Sequence, residues 1–255
     1  ILPRLSALFK VSEQLSSRLS GGFGYKAPTM FTEDAERIQY RDIIPVDKDH
    51  NKLERSYGLN WDVNYVTSLF GGSVSFAVNQ LFFYTYINSP LQLRQAGNGM
   101  FRMDNISGHI DTKGSETNVK LGYRDLHLYL GYTYTDACIK ENGVTSENVL
   151  TPKHRINAIL MYEVEDEWRV GLESYFYSKQ KLSDGSTGRS YTIFGLMVEK
   201  IWEKLSVFAN FENFTDRRQT RFDTIYTGTV SNPEFRDIYA PLDGFVMNAG
   251  VKIRL

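Results

Sequence analysis

The sequence predicts an all-β protein. The fold is an antiparallel up-and-down transmembrane β-barrel, with about eleven strands here forming the C-terminal half of a ~22-stranded barrel. Three observations lead there. Apolar and polar residues alternate along most of the chain, short and long connections alternate between those stretches, and aromatic residues gather at both ends of them.

The alternation is clearest at the C-terminus. Phe245, Met247, Ala249, Val251, Ile253 and Leu255 are apolar, with Val246, Asn248, Gly250, Lys252 and Arg254 between them. Successive strand side chains point to opposite faces, so such a segment has one apolar face and one polar face. A membrane barrel requires that division, because lipid meets one side and a hydrated interior the other.

The same period runs from the start. Leu5, Ala7, Phe9 and Val11 oppose Arg4, Ser6 and Lys10. Leu19, Gly21, Phe23 and Tyr25 oppose Arg18, Ser20, Gly22 and Gly24. Tyr57, Leu59, Trp61, Val63 and Tyr65 oppose Asn60, Asp62 and Asn64. Val74, Phe76, Val78, Phe82 and Tyr84 follow, with Gln80 as the one flaw. Val119, Leu121 and Tyr123 oppose Glu116, Asn118 and Lys120; Leu126, Leu128, Leu130, Tyr132 and Tyr134 oppose His127, Tyr129 and Thr133. Ile156, Ala158, Leu160 and Tyr162 come next, then Val170, Leu172, Ser174 and Phe176 opposite Arg169 and Glu173. Phe194, Leu196 and Val198 oppose Gly195 and Glu199, and Leu205, Val207, Ala209 and Phe211 oppose Ser206, Asn210 and Glu212.

Connections around 12–14, 67–72, 124–125, 163–167 and 203–204 are short, and those around 27–53, 88–105, 136–152, 179–189 and 215–242 are long. That sorting puts tight turns at one rim and large loops at the other. First and last strands then run the same way, so the count is odd. Single-chain bacterial barrels have even counts, and an odd number of further strands is expected upstream of Ile1. Phe70, Tyr162, Trp168 and Trp202 fall beside short turns; Tyr25, Tyr84, Tyr134, Tyr177 and Phe214 fall near long loops, as two interfacial girdles would. Within the first long loop, 32–39 has a Thr32 cap and acids in its first turn, which predicts a short helix.

Bulk properties narrow the function. The net charge of −1 gives no electrostatic footing for nucleic acid. No apolar run is long enough for a membrane helix, and a mean hydropathy of −0.35 suits barrel strands, whose alternation hides their apolar half. Cys138 is the single cysteine. The motif Gly22-Phe23-Gly24-Tyr25-Lys26-Ala27 has the spacing of a dinucleotide fingerprint, but Pro28 and the lack of strand–helix alternation argue against one. His50, His109, His127 and His154 lack metal-ligand spacing, and no nucleophile motif is present. The expectation is no catalytic residue, no metal and no cofactor.

Binding candidates come from two places. The long loops carry Arg37, Tyr40, Arg41, Gln92, Arg94, Arg221, Tyr226, Arg236 and Tyr239, residue types that combine contact area with hydrogen bonding. Arg18, Asp62, Glu116, Lys120, Glu173 and Glu199, with Lys252 and Arg254, are expected on the lumenal face against a plug or as mutually paired wall charges.

Several stretches resemble the C-terminal half of a TonB-dependent outer-membrane receptor. Gly24-Tyr25-Lys26-Ala27-Pro28-Thr29 is similar to its strand-to-loop junction, and Thr112-Lys113-Gly114-Ser115-Glu116 to its Gly-x-Glu strand opening. Thr151-Pro152-Lys153-His154-Arg155-Ile156-Asn157 is similar to a recurrent strand start, and Glu212-Asn213-Phe214-Thr215-Asp216-Arg217 to the end of the penultimate strand. Leu255 stands where the family usually ends in an aromatic residue, and Asn51-Lys52-Leu53-Glu54 departs from the box of haem-type members. The resemblance implies an outer-membrane barrel domain over 1–255 in a Gram-negative bacterium. It also implies uptake of a scarce bulky nutrient (ferric siderophore, cobalamin, haem or glycan). The implied partners are outer-membrane lipid, a plug domain and the remaining strands (of the same polypeptide or of another chain), and TonB through that plug. The rivals are a passive porin or adhesin barrel and a soluble all-β binding module.

Overall fold

The computed structural model describes residues 2–47 and 49–253. Its main sheet is antiparallel and is built from eleven successive strands, with a short twelfth folded back on one of them. In chain order the elements are β1 (Arg4–Lys10), β2 (Leu15–Lys26), α1 (Glu33–Arg37), β3 (Glu54–Leu69), β4 (Val74–Asn88), β5 (Leu91–Gly97) and β6 (Met100–Asn105). Then come β7 (Gly108–Tyr123), β8 (Leu126–Glu141), β9 (Val144–Glu147), β10 (His154–Val164), β11 (Trp168–Tyr177), β12 (Gln180–Lys181) and β13 (Thr187–Gly188). The chain closes with β14 (Tyr191–Ile201), β15 (Leu205–Glu212), α2 (Gln219–Phe222), β16 (Tyr226–Thr229), β17 (Asn232–Phe235) and β18 (Val246–Ile253).

Sheet order is β1-β2-β3-β4-β7-β8-β10-β11-β14-β15-β18, so each main strand pairs with its neighbour in sequence, the small hairpins being set aside. Register turns the alternation into two continuous surfaces. One row joins Thr67, Phe76, Leu121, Leu128, Leu160, Leu172, Leu196, Phe211 and Met247. The row one residue away joins Ser68, Ser75, Gly122, His127, Met161, Gly171, Met197, Asn210 and Asn248. A single-residue slip would exchange the two faces, so the pattern itself pins the register. The apolar surface lies open: Leu160 is 45%, Leu172 43% and Met247 55% exposed. An exposed apolar field running across the whole sheet is far larger than the patches water-soluble proteins tolerate.

Short turns and long connections fall at opposite ends, and no helix is long and apolar enough to cross a membrane among the described residues. The sheet is not closed: β1 and β18 run in the same direction, each with one edge unpaired among the described residues.

Some details differ from the sequence reading. Tyr177 is opposite Arg155 and Tyr191, which puts it on the polar face instead of the girdle. Counting from Phe176 gives the same parity. Phe214 does reach the apolar side, with its ring 6.0 Å from Phe194. Residues 112–116 lie inside β7, which begins at Gly108, and do not open it. The long connections are structured. Asn142 and Gly143, with φ of 50° and 78°, turn β8 back into β9. Asn98 and Gly99, with φ of 52° and 76°, turn β5 into β6. Asn-Gly favours this geometry because both residues tolerate positive φ. The helix expected at 32–39 is the single turn α1, and the Thr32 hydroxyl accepts from the Ala35 N–H.

Candidate functional site

The long connections assemble into two packed units at one rim. In the first, loop 27–53 lies on the β5–β6 hairpin. Ile44 N–H donates to the Phe101 carbonyl at 2.8 Å, and Phe101 N–H to the Asp42 carbonyl at 2.7 Å. The buried Asn51 donates its amide to the Met103 carbonyl at 2.6 Å and accepts from Asp47 N–H at 3.0 Å. Met103, Ile106 and Ala35 are buried there. Arg94 grips both Glu141 oxygens, at 2.7 and 2.6 Å, and so ties the hairpin to the tip of β8.

In the second unit the β12–β13 hairpin joins loop 213–245 around Leu182, Tyr191, Tyr239 and Ala240. Gln219, 0% exposed, is the hub. Its amide donates to the Asp237 carbonyl at 2.8 Å, and its oxygen accepts from Tyr239 and Ala240 N–H at 2.8 and 3.1 Å. The Asp237 carboxylate accepts from the Ser183 backbone and hydroxyl. Arg236 reaches Asp184 at 3.1 Å and the Ser186 hydroxyl at 2.8 Å. Leu150 N–H donates to the Lys181 carbonyl at 2.9 Å, which joins the β9–β10 connection to this unit.

The electrostatics follow the packing. Burial, then the hydrogen bond to the Asp223 carboxylate, pushes the Tyr239 phenol up to about 12. Burial alone would raise Asp223, but the Tyr239 hydroxyl, Thr224 N–H and Arg236 outweigh it and lower the carboxyl. Asp184 is lowered first by the Ser186 hydroxyl, then by Ser186 N–H and Arg236.

The loop candidates scatter between these units. The side chain of Arg37 lies outside the described residues, as does Arg254. Tyr40 is exposed at φ 55°, its ring edge-on to Phe31 at 5.8 Å, and Arg41 is exposed beside it. Gln92 is half-buried and Arg94 is committed to Glu141. Arg221 pairs with Asp216 at 2.5 Å, and Tyr226 is exposed on β16. Among the described residues two pairs of candidates meet: Arg236 and Tyr239 converge on Asp223, and Arg94 donates to the Gln92 side-chain oxygen at 3.5 Å. Sequence reading missed Gln219, Asp223, Asp237 and Asn51. Their roles depend on partners far away in the chain, and no local pattern marks them.

The wall candidates among the described residues take the polar face. Arg18 pairs with Asp62 at 2.9 Å, Glu116 accepts from the Asn118 amide at 2.6 Å, and Lys120 sits 5.3 Å over the Tyr129 ring. Glu173 accepts from the Tyr175 hydroxyl. Glu199 is buried between Lys252 at 3.0 Å and the Ser206 hydroxyl at 2.8 Å, with Arg169 at 3.8 Å. Among the described residues no group of His, Cys, Asp and Glu is arranged to hold a metal ion.

An open-edged wall with an apolar outer field, a polar inner face and all large loops at one rim is part of an up-and-down membrane-type barrel. Residues 1–214 match the family described as TonB dependent receptor-like, beta-barrel, and the chain belongs to that family. No curated protein sequence matches the chain. Among solved structures, the FrpB iron transporter from Neisseria meningitidis (F5-1 variant) is 14% identical with a TM-score of 0.69, covering 99% of this chain and 39% of that one. The siderophore receptor PirA from Acinetobacter baumannii is 16% identical with a TM-score of 0.68, covering 99% and 40%. The ferric-catecholate import receptor Fiu from K12 E. coli is 14% identical with a TM-score of 0.62, covering 98% and 34%. The chain thus spans well under half the length of each of these structures, and at these identities the likeness is one of fold.

Proposed function

We propose that residues 1–255 form the C-terminal half of the barrel of an outer-membrane receptor in a Gram-negative bacterium. The receptor takes up a scarce, bulky nutrient by active transport, with a ferric siderophore as the first candidate ahead of cobalamin, haem or a glycan. The observation that carries this reading is the pair of solvents written into the sheet. A broad apolar field, interrupted at Gln80 and Thr117, fits hydrocarbon, and the opposite face carries paired charges suited to a hydrated lumen. The family match supports the receptor class, and the likeness to an iron transporter and a siderophore receptor supports the ligand class.

In this reading the loop units capture the ligand and the wall encloses its path, with no covalent chemistry at any step. The remaining strands and a plug domain complete the lumen, lipid covers the apolar face, and TonB engages through the plug. No open sheet edge is stable in hydrocarbon, so β1 and β18 require those further strands. The test is growth of a deletion strain on single ferric siderophores under iron limitation, with complementation by the intact gene. Loss of growth on one siderophore, restored by the gene, is the expected result. Unchanged growth on every iron, cobalamin, haem and glycan source would overturn the receptor reading.

A further inference from the structure

The polar face carries a recess beside the second loop unit. It sits at the long-loop end of β10, β11 and β14, holds about 520 Å³, and is lined by Arg155, Tyr177, Tyr191, Pro152, Ile238 and Pro241 among others. Arg155 shares a register row with Tyr177 and Tyr191, so all three face the same side as Glu173 and Glu199.

Among the described residues Arg155 has no acid partner, a condition it shares with Lys120 over the Tyr129 ring and not with the paired cations of this face. Arg18 has Asp62, Arg169 has Glu163, and Lys252 has Glu199. Arg155 is exposed, and its side chain makes no ion pair or hydrogen bond among the described residues. The polar-face neighbours below it on β10 are Asn157 and Ile159, and those on β14 are Ile193 and Gly195. The nearest acid on β11 is Glu173, two polar-face positions below Tyr177 and already bonded to the Tyr175 hydroxyl. No acid lines the recess.

The walls are flat and fixed. Tyr177 and Tyr191 stack at 4.9 Å and 15°. The Tyr191 hydroxyl donates to the Tyr239 carbonyl at 2.8 Å, which locks that ring to the buried hub of the second loop unit. A free guanidinium beside rigid aromatic and proline surfaces selects a planar ring with a negative oxygen. The fork binds the anion, and the ring is taken up by flat apolar surface.

We propose that this recess is a ligand subsite in which Arg155 anchors a ring-bearing anionic group, a carboxylate or phenolate, against the Tyr177–Tyr191 stack. The proposal rests on the receptor reading above and adds the chemistry of the group bound at the mouth. A volume of this size is within the range of small-molecule sites, roughly 300–1,000 Å³.

The test uses the full-length receptor in detergent micelles and three probes: benzoate, benzamide and cyclohexanecarboxylate. Binding is measured by calorimetry or ligand-observed NMR on wild type, Arg155→Gln and Arg155→Lys. Benzoate is expected to bind at least tenfold tighter than either the neutral or the non-planar probe. Arg155→Gln should cut benzoate affinity about tenfold or more and leave benzamide unchanged, with Arg155→Lys between. Tyr177→Leu, which keeps the cation, should bring benzoate down to the cyclohexanecarboxylate level and serves if Arg155→Gln fails to fold. Equal binding of benzoate and benzamide, or benzoate affinity within twofold of wild type in both Arg155→Gln and Tyr177→Leu, would overturn the subsite. Probe binding needs neither plug nor energy coupling. Its failure therefore leaves the growth result standing, and loss of the growth phenotype leaves probe binding standing.

Discussion

The two loop units at the long-loop rim are held by different physics. The second, built from the β12–β13 hairpin and loop 213–245, is organised by charged and polar side chains around a buried amide. The first, built from loop 27–53 and the β5–β6 hairpin, is organised by backbone pairing, one buried asparagine and a small apolar cluster. Both cover the same kind of sheet end. The difference teaches that sheet alternation dictates the wall but leaves each loop to find its own way of satisfying buried backbone groups. It also makes the units separable by mutation and by pH.

Gln219 is the sharpest point of attack. Gln219→Leu leaves Tyr239 N–H, Ala240 N–H and the Asp237 carbonyl without partners in a buried site. At roughly 1–3 kcal/mol for each orphaned group, the local cost is several kcal/mol. Hydrogen exchange should show protection falling together in 180–188 and 213–245, and staying unchanged in 91–105. Protection lost in only one of the two segments would show that they are not one unit.

Met103→Ala is the matching attack on the first unit. Met103 is 1% exposed and lies beside the Asn51 contact. Truncating a buried methionine costs about 2–5 kcal/mol in a well-packed core, and a loop unit able to collapse falls at the low end. Exchange should accelerate in 91–105 and 42–52, with 213–245 unaffected. Equal loosening of both units would dissolve the comparison.

Most of the wall was legible in the sequence, and most of the rim was not. The faces of Leu160, Leu172 and Leu196 are readable because period two is forced wherever two solvents meet one sheet. Tyr177 was misplaced because an aromatic residue at a strand end suits a girdle; counting on from Phe176 would have corrected it. The turns at Asn98-Gly99 and Asn142-Gly143 carried a local signal that marks hairpins inside the long connections. Gln219 meeting Tyr239, and Asn51 meeting Met103, carried none, because each pairing is chosen by packing between distant segments. Arg155 lay inside a recognised stretch, but its freedom from a partner is visible only when every neighbouring strand is in place.

Acid should separate the units next. Asp223 and Asp184 sit below the usual carboxylate range, held by Tyr239, Ser186 and Arg236. A depressed folded-state value means the stabilisation is complete above the ordinary carboxylate pKa of about 4 and is lost as pH falls through the lower value. Exchange in 180–188, extrapolated for intrinsic rate, should therefore rise below about pH 4. The first unit also holds one lowered carboxyl, Asp47, but its bonds to Asp49 N–H and His50 stay within a single turn. The contacts from loop 27–53 to the β5–β6 hairpin are backbone and amide bonds, so 91–105 should respond less. An equal acid response in both would assign the effect to the sheet.

The smallest effect is expected at the join between the hairpin and the wall. Arg94 and Glu141 form a two-oxygen grip, yet their side chains are 41% and 24% exposed. Exposed pairs of this kind contribute about 0.2–1 kcal/mol and weaken with salt. Arg94→Gln should then lower protection of 91–97 slightly at low ionic strength and change nothing at high ionic strength. The Phe101 backbone bonds to Asp42 and Ile44 hold the hairpin independently of Arg94. A large loss, insensitive to salt, would mean that the first unit shares the second unit's dependence on charge, and the contrast between them would fail.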